Sequence, residues 1–233
     1  MLYNPYPSIN LPFGKDNKWF VYLFESIHRV DLSFIKYTLK FEDGQCPESE
    51  EYKAHLERVF SYELYRQWMN LLEKHGVRNL VLNAEICKYL KNSLNEERKG
   101  KDNYPDLVLH KSQDSDEAQL IVCEIKREEG LTDENLLGDL YKLSCYINKD
   151  KFWKKPFEYG VFIIEGIDVS LNKLKIKQGT TTQFKGEEIT IEEYKNNESF
   201  KKKFSQIICV SYDGMNLEYD QLNKLINKIT KED

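Results

Sequence analysis

Two short runs of β-favouring residues, "DLVLH" (106–110) and "QLIVCEIK" (119–126), constrain the fold of this chain most strongly. Only eight residues, the polar stretch "KSQDSDEA", separate them, which is typical of two antiparallel strands joined by a longer hairpin loop. The second run is unusual because an apolar strand continues directly into a carboxylate and an ammonium, Glu124 and Lys126. Side chains two residues apart on a strand share a face, so these charges are expected to project together from one end of a sheet.

Helical and strand patterns precede this hairpin. Apolar residues recur at helical spacing over residues 17–41, which predicts one helix or two with a break near Asp31, and again over about 49–74. His75-Gly76 is a typical end for the longer of these segments. The stretch "NLVLNAEICKYL" (79–90) begins with β-favouring residues and predicts a strand.

The alternation of helices and strands continues after the hairpin. A helix is expected over Thr132–Asn148 with the threonine as its N-cap, and "YGVFIIEG" (159–166) is apolar on both faces, as a central strand is. Residues 170–204 carry no clear pattern, whereas "SQIICVSYD" (205–213) predicts a strand and residues 217–230 predict a closing helix. This order predicts a mixed α/β sheet flanked by helices in a single domain.

Composition excludes several classes of protein. Hydrophobic residues make up 40% and aromatic residues 13% of the 233 residues, too much apolar material for a disordered chain and enough for a core rich in rings. The five cysteines are widely spaced without a Cys-x-x-Cys motif, so neither a disulfide framework nor a zinc site is expected. The net charge of −5 argues mildly against non-specific nucleic-acid binding, but it leaves room for a local basic groove around an acidic metal site.

The N-terminal residues bear on where the protein acts. The stretch "MLYNPYPSINLPFG" has neither the basic flank nor the apolar centre of a signal peptide. The longest apolar run near the start, "WFVYLF" (19–24), is far shorter than a membrane span. We therefore expect a soluble, cytoplasmic protein without a membrane partner.

The hairpin predicts a group of charged side chains that is suited to metal binding and catalysis. If the two strands pair as their patterns indicate, Asp106 at the start of one lies near Glu124 at the end of the other, with Lys126 beside them. Two close carboxylates repel each other unless one is protonated or a cation lies between them. A hard divalent ion with oxygen ligands, Mg²⁺ or Mn²⁺, relieves that repulsion. Together the metal and the ammonium would activate a bound water and stabilise negative charge in a phosphoryl transition state.

A further carboxylate is expected to face this group from the preceding helix. Glu63 shares a helical stripe with the apolar residues Val59 and Phe60. An inward-facing carboxylate is costly unless it is paired, and the metal site is one partner that would satisfy it. The alternative, equally compatible with the spacing, is a pair with Arg66 or Gln67 on the same helix.

These residues resemble a known family. Pro105-Asp106 followed by Glu124-Ile125-Lys126 resembles the signature of the PD-(D/E)XK nuclease superfamily, whose members share the restriction-endonuclease-like fold. The predicted order helix, three strands, helix, strand (αβββαβ) is also similar to the common core of that family over residues 50–166. On this reading residues 1–49 form an N-terminal helical extension and residues 167–233 form C-terminal strand and helix additions.

The resemblance implies an enzyme that hydrolyses phosphodiester bonds of nucleic acid, DNA before RNA, with Mg²⁺ or Mn²⁺. It implies that Asp106, Glu124 and the carbonyl of Ile125 are metal ligands and that Lys126 positions the attacking water. Glu63 matches the acidic residue that many members carry on the first core helix, where it assists catalysis or the metal. The resemblance is also compatible with a homodimer, because many such nucleases cut two strands as dimers.

Further polar residues have weaker support. Some members carry a polar residue on the helix after the lysine strand, for which Asp139 and Lys142 are counterparts, although an exposed i,i+3 ion pair is the simpler interpretation. Candidates for nucleic-acid contact are Lys142 and two lysines of "KFWKKPF", Lys154 and Lys155. Basic side chains next to aromatic residues suit contacts with phosphates and stacking with nucleobases. Other candidates of lower weight are Glu85, His110 and the basic run 201–203.

Two other interpretations compete with a nuclease. A catalytically inactive family member would bind nucleic acid or a protein without cutting, and the acidic net charge is its best support. An unrelated α/β interaction module would carry Glu-Ile-Lys by coincidence, as a solvated strand end with a modest ion pair. Acid-x-Lys occurs four more times in the chain, but only Glu124 follows an apolar strand, and Pro105-Asp106 is the sole Pro-Asp. The coincidental motif predicts that Asp106 and Glu124 lie apart.

Overall fold

The structure, a computed structural model, describes residues 18–35, 50–84, 105–111, 119–148 and 156–230. These residues form a mixed α/β sheet flanked by helices, which confirms the α/β class predicted from the order of elements. The strands are β1 (Leu80–Ala84), β2 (Leu107–Lys111), β3 (Gln119–Arg127), β4 (Phe157–Glu165), β5 (Thr181–Phe184), β6 (Glu187–Thr190), β7 (Ile207–Tyr212) and β8 (Leu217–Gln221). The helices are α1 (Lys18–His28), α2 (Leu32–Ile35), α3 (Glu50–Lys74), α4 (Asp133–Ile147), α5 (Ile191–Asn196), α6 (Glu198–Lys201) and α7 (Leu222–Ile229).

Six strands form one sheet in the order β1-β2-β3-β4-β7-β8. The pairs β1–β2, β2–β3 and β7–β8 are antiparallel, whereas β3, β4 and β7 run parallel to one another. The strands β5 and β6 form a separate antiparallel hairpin. Along the chain, α3, β1, β2, β3, α4 and β4 follow each other in the αβββαβ order expected from the sequence.

The helix boundaries follow local signals in the sequence. Asp31 separates α1 from α2, and its carboxylate accepts a hydrogen bond from the Ser33 N–H, as predicted for a break at this point. Helix α3 ends at Lys74 and is followed by Gly76, whose φ of 65° lies in the left-handed region that glycine adopts without steric cost. Thr132 caps α4 by accepting a hydrogen bond from the Asn135 N–H, which confirms the predicted N-cap.

The sequence prediction is wrong for the last element. Residues 217–230 were expected to form one helix, but Leu217–Gln221 is a strand that pairs with β7, and only Leu222–Ile229 is helical. The reason is the alternation within the first five residues, since Tyr219 lies opposite Val210 in the ladder and extends the sheet. The segment 170–204, which carries no clear pattern, contains the β5–β6 hairpin and the short helices α5 and α6.

Two apolar layers cover the faces of the sheet. One layer lies under α1, α2 and α3 and includes Trp68 and Cys123, and the other lies under α4 and α7 and includes Val122 and Leu140. Strand β3 therefore contributes to both layers, and its last four residues are charged except for Ile125, which is buried under α1, α2 and α3. None of the described helices is long and apolar enough to span a membrane.

Candidate active site

Asp106 is fixed beside the charged end of β3 by two hydrogen bonds. It lies directly before β2, its N–H donates to the carbonyl of Cys123 (3.0 Å), and its carboxylate accepts from the N–H of Ile125 (2.7 Å). These bonds continue the β2–β3 pairing one step past the last ladder pair, Leu107 with Cys123. The structure thus brings Asp106 next to Glu124, contrary to what a coincidental motif predicts.

The carbonyl of Ile125 shares this position. The N–H and C=O of a strand residue point toward the same neighbouring strand. Because the Ile125 N–H points to Asp106 beyond the start of β2, the Ile125 carbonyl points to the same side, where β2 no longer pairs with β3. This orientation suits a backbone oxygen that binds a ligand next to Asp106.

Glu124 is held by α4. Its Oε2 accepts a hydrogen bond from the Lys142 ammonium (2.8 Å), which also donates to Asp139 Oδ1 (3.2 Å). Glu124 is 1% exposed and Asp139 is 6% exposed, so both carboxylates are removed from bulk water. Glu124 Oε1 and Asp139 Oδ2 are buried and find no hydrogen-bond partner among the described residues. Asp139 is buried and Lys142 is partly buried within the site, so the expectation of an exposed i,i+3 pair is wrong.

Lys126 connects the end of β3 to helix α3. Its ammonium lies 3.1 Å from Glu57 Oε1 and 3.9 Å from Asp139 Oδ2. Both Lys126 and Glu57 are partly buried. Lys126 thus bridges two helices on either side of the strand end, and it is positioned by carboxylates from both.

Six side chains from four parts of the fold make up this group, which we term the carboxylate–lysine cluster: Glu57, Asp106, Glu124, Lys126, Asp139 and Lys142. The sequence predicted Asp106, Glu124 and Lys126 as site residues and offered Asp139 and Lys142 with weaker support, whereas Glu57 was not among the predicted residues. The cluster lies at the end of β3 where the apolar layers give way to polar side chains.

The predicted role of Glu63 in this cluster does not agree with its contacts. Glu63 is buried on α3, and its carboxylate accepts hydrogen bonds from Arg66 (2.5 and 2.7 Å) and Gln67 (2.7 Å). The hydrogen bond from Arg66 holds the pKa of Glu63 below its usual value. The α3 carboxylate that joins the cluster is Glu57, because a position six residues earlier lies on a different face of the helix.

A sequence signal for Glu57 exists. Glu57 lies three residues before Phe60 and seven before Leu64, on the apolar stripe that α3 packs against the sheet. Asp139 and Lys142 are likewise interleaved with buried residues of α4, Leu140 and Leu143. Charged residues inside an apolar stripe are the common feature of these additional members.

Burial and mutual repulsion raise the pKa of three carboxyl groups in the cluster. Burial raises the pKa of Glu124 well above its usual value, and Asp106 and Asp139 add to this effect against the opposing charge of Lys142. Burial also raises the pKa of Asp106, against Lys126 and the Ile125 N–H. The pKa of Glu57 is raised by burial against the effect of Lys126. In all three groups burial is the largest cause, and it outweighs the opposing charge of the neighbouring lysines.

The pKa values of the two lysines are raised as well, but by the neighbouring carboxylates and against the effect of burial. Burial alone would lower the pKa of Lys126, but Asp139 and Glu57 outweigh it and raise that pKa above its usual value. The pKa of Lys142 is raised in the same way, since Glu124 and Asp139 outweigh burial. Both side chains therefore stay as ammonium ions at neutral pH and cannot act as bases there.

Charge and ligand type show whether a divalent cation fits the cluster. Four carboxylates face two ammonium ions, so two negative charges remain when all are ionised, which is the charge of one divalent ion. The described residues contain no group of three or more His, Cys, Asp or Glu side chains placed to hold a metal ion. However, Mg²⁺ usually keeps several waters and is bound by one or two carboxylates plus substrate phosphates. Asp106, Glu124 and the Ile125 carbonyl supply oxygen ligands of that kind, so the donor set fits Mg²⁺ or Mn²⁺.

A second buried ion pair adjoins the cluster at the ends of β3 and β4. Arg127 donates to Glu165 (3.3 Å) and to the carbonyl of Ile35 in α2 (2.8 Å), and it also contacts Glu129. Burial raises the pKa of Glu165 to about 8 against the effect of Arg127, and the charges of Glu129 and Glu57 add to the increase. The pair thus links α2 to the strand ends that carry the cluster.

Several other sequence candidates lie elsewhere or cannot be placed. Lys154, Lys155 and Glu85 lie outside the described residues. His110 lies at the far end of β2, where its ring contacts Asn83 and the Lys111 carbonyl. In the basic run 201–203, Lys201 pairs with Glu198 on an exposed helix.

The geometry of the cluster is the basis for assigning a function. The chain matches no family model, no curated protein and no solved structure among those with which it was compared.

Proposed function

We propose that this chain is a divalent-metal-dependent nuclease of the PD-(D/E)XK type that hydrolyses phosphodiester bonds, with DNA favoured over RNA as its substrate. The observation that carries the proposal is the convergence of Asp106, Glu124 and Lys126 at one end of the sheet. The αβββαβ order of elements over residues 50–165 supports it. Neither feature depends on the bare acid-x-Lys triplet, which also occurs elsewhere in the chain.

Asp106, Glu124 and the Ile125 carbonyl would hold the cation. The hydrogen bond from the Ile125 N–H orients one oxygen of Asp106 and leaves its other oxygen for a ligand. In Glu124, Oε1 is buried without a hydrogen-bond partner among the described residues. When bound, the cation supplies a Lewis acid for a phosphoryl oxygen and lowers the pKa of a water ligand.

Lys126 would orient the water and stabilise the charge that develops on the phosphate. Its raised pKa keeps it protonated, so it donates hydrogen bonds and does not remove a proton. Glu57 and Asp139 fix the position of the ammonium from both sides of β3. Glu57 is thus a positioning residue for Lys126, since it acts on the substrate through the lysine.

A second candidate function, binding without cleavage, is favoured by a specific observation. Lys126 and Lys142 already contact Glu57, Glu124 and Asp139, so the cluster can be interpreted as an internally compensated network that only stabilises the fold. The net charge of −5 also fits a chain that does not bind duplex DNA broadly. A cleavage assay distinguishes the two candidates.

The test is cleavage of supercoiled plasmid, linear duplex, single-stranded DNA and RNA with Mg²⁺, Mn²⁺ or EDTA. Asp106→Asn and Lys126→Ala should each lower metal-dependent cleavage about 10²-fold or more, because the first removes a charged metal ligand and the second removes a positive charge that stabilises the reacting phosphate. Lys195→Ala is the matched control, since Glu193-Tyr194-Lys195 is an acid-x-Lys triplet away from the cluster. Cleavage that is equal in the wild type, the Asp106 variant and the Lys126 variant would contradict the proposal.

A further inference from the structure

Lys142 occupies the position between the two most buried carboxylates of the cluster. Its ammonium contacts Glu124 Oε2 at 2.8 Å and Asp139 Oδ1 at 3.2 Å. We propose that Lys142 is an internal counter-ion that competes with the divalent cation for Glu124 and thereby sets the metal affinity of the site. The inference rests on the proposed function, because it deepens the account of the same metal site.

The contacts of the two lysines differ in a way that gives Lys142 this role. The short contact of Lys126 is with Glu57, which is outside the proposed ligand set, whereas the short contact of Lys142 is with Glu124, which is in it. An ammonium and a divalent cation on one carboxylate repel each other strongly in a buried environment. Binding of the cation to Glu124 therefore requires the Lys142 ammonium to withdraw.

One oxygen of the Glu124 carboxylate has no partner in the cluster, and the Lys142 ammonium is able to move away from Glu124. Glu124 Oε1 and Asp139 Oδ2 are buried without hydrogen-bond partners among the described residues. Asp139 Oδ2 has the Lys126 ammonium 3.9 Å away, so Glu124 is the carboxylate whose second oxygen lacks a compensating charge. The Lys142 side chain is 16% exposed, whereas the Glu124 side chain is 1% exposed. A lysine has a flexible four-carbon stem, so its ammonium can withdraw toward solvent while the backbone of α4 stays in place.

Binding of Mn²⁺ alone, measured by the loss of the free-ion EPR signal on titration, tests this directly. Lys142→Met and Lys142→Gln remove the competing charge and should lower the Kd for Mn²⁺ at least tenfold. Lys142→Arg keeps the charge and should not bind more tightly than wild type. Lys201→Met is the control, because Lys201 forms an i,i+3 pair with Glu198 at 2.8 Å on an exposed helix, and its Kd should equal that of wild type.

A second measurement uses the wild-type protein and does not depend on whether the variants fold. Lysine acylation followed by peptide mass mapping reports the accessibility of each amine. With saturating Mn²⁺, labelling of Lys142 should increase several-fold, while labelling of Lys201 should not change. Labelling of Lys142 that stays equal or falls on addition of Mn²⁺ would overturn the proposal.

Cleavage measured on the same preparations separates this inference from the proposed function. Tighter Mn²⁺ binding by the neutral variants, without cleavage of any nucleic acid, would support the counter-ion role and contradict the nuclease. Metal-dependent cleavage by wild type, with unchanged or weaker Mn²⁺ binding in both neutral variants, would support the nuclease and overturn the counter-ion role. Absence of Mn²⁺ binding in wild type and variants alike would overturn both.

Discussion

Glu57 and Glu63 lie on the same helix but should respond differently to the same substitution. Glu57→Gln should lower cleavage by up to about 10²-fold, because the Lys126 ammonium loses the carboxylate that positions it. Glu63→Gln should leave most cleavage in place and lower the free energy of unfolding by about 1 kcal/mol, since Arg66, its main partner, is 60% exposed. Plasmid cleavage and denaturant unfolding of both variants measure the difference.

The stability effect of Glu63→Gln should depend on pH. The hydrogen bond from Arg66 lowers the pKa of Glu63, so its contribution is present above the unfolded pKa of about 4.3 and is lost as the pH falls through the folded pKa. The two proteins should therefore differ most near neutral pH and become similar once the pH falls below the lowered folded pKa of Glu63. A Glu63→Gln variant that folds but does not cleave would instead show that Glu63 acts in the active site.

The part of the site that lies on the hairpin could be predicted from sequence, because strand periodicity fixes which residues share a face. Asp106, Glu124 and Lys126 are placed by that rule and by the pairing of two neighbouring strands. The choice between Glu57 and Glu63 could not be made in the same way. Both precede or follow apolar residues at helical spacing, and only the rotation of α3 on the sheet decides which carboxylate reaches Lys126.

The end of β4 is packed closely against the turn that follows β3. A Cβ on Gly166 would lie 2.7 Å from the Cβ of Glu128, which begins the short 3₁₀ helix Glu128–Gly130. Gly166→Ala should therefore displace this turn and lower the free energy of unfolding by about 1–3 kcal/mol, as overpacking does. Thermal and denaturant unfolding measure the loss.

Gly130→Ala is the control for that substitution. Gly130 lies in the same turn, but a Cβ there meets nothing within 4 Å. It should change the stability by less than about 1 kcal/mol in either direction. Equal losses in the two variants would mean that backbone freedom, and not the contact with Glu128, determines the effect.

The elements that sequence predicted well are those with strong local signals. The capped helix α4 and strand β4 are examples, since a capping threonine and the continuous apolar run from Val161 to Ile164 are both visible in the sequence. The strand β8 was mistaken for helix because its five residues adjoin a true amphipathic helix, α7. The alternation of residues in 217–221 favours a strand over a helix only because β7 provides an edge with which they pair. That pairing is tertiary information, which the local sequence does not contain.

The stability of the whole molecule should decline as the pH rises through the range where Glu165 titrates. The pKa of Glu165 is raised to about 8 by burial, so the folded state holds a proton there that the unfolded state has released above about pH 4.3. Because the folded state binds more protons in this window, stability falls with rising pH, by on the order of 2–4 kcal/mol between pH 5 and pH 8. Glu165→Gln should remove that part of the decline.

The comparison of wild type with Glu165→Gln isolates this group, because the other buried carboxyl groups titrate in both proteins. Glu198→Gln, at an exposed position, should keep the wild-type pH profile. Denaturant unfolding at several pH values measures all three. A free energy that changes equally between pH 5 and pH 8 in wild type and in Glu165→Gln would contradict this and show that Arg127 keeps Glu165 ionised throughout the range.

Divalent metal should stabilise the folded molecule against heat, because a cation that binds only the folded state shifts the unfolding equilibrium. At a Mg²⁺ or Mn²⁺ concentration ten times its Kd, the gain is about 1.4 kcal/mol. For a protein of this size that corresponds to a rise in Tm of about 3–6 °C, which EDTA should reverse. Asp106→Asn should abolish the rise, whereas Asp168→Asn, which alters a carboxylate outside the cluster, should retain it. The wild-type rise tests metal binding without any nucleic acid, so a flat Tm would count against the metal site even if the substrate were still unidentified.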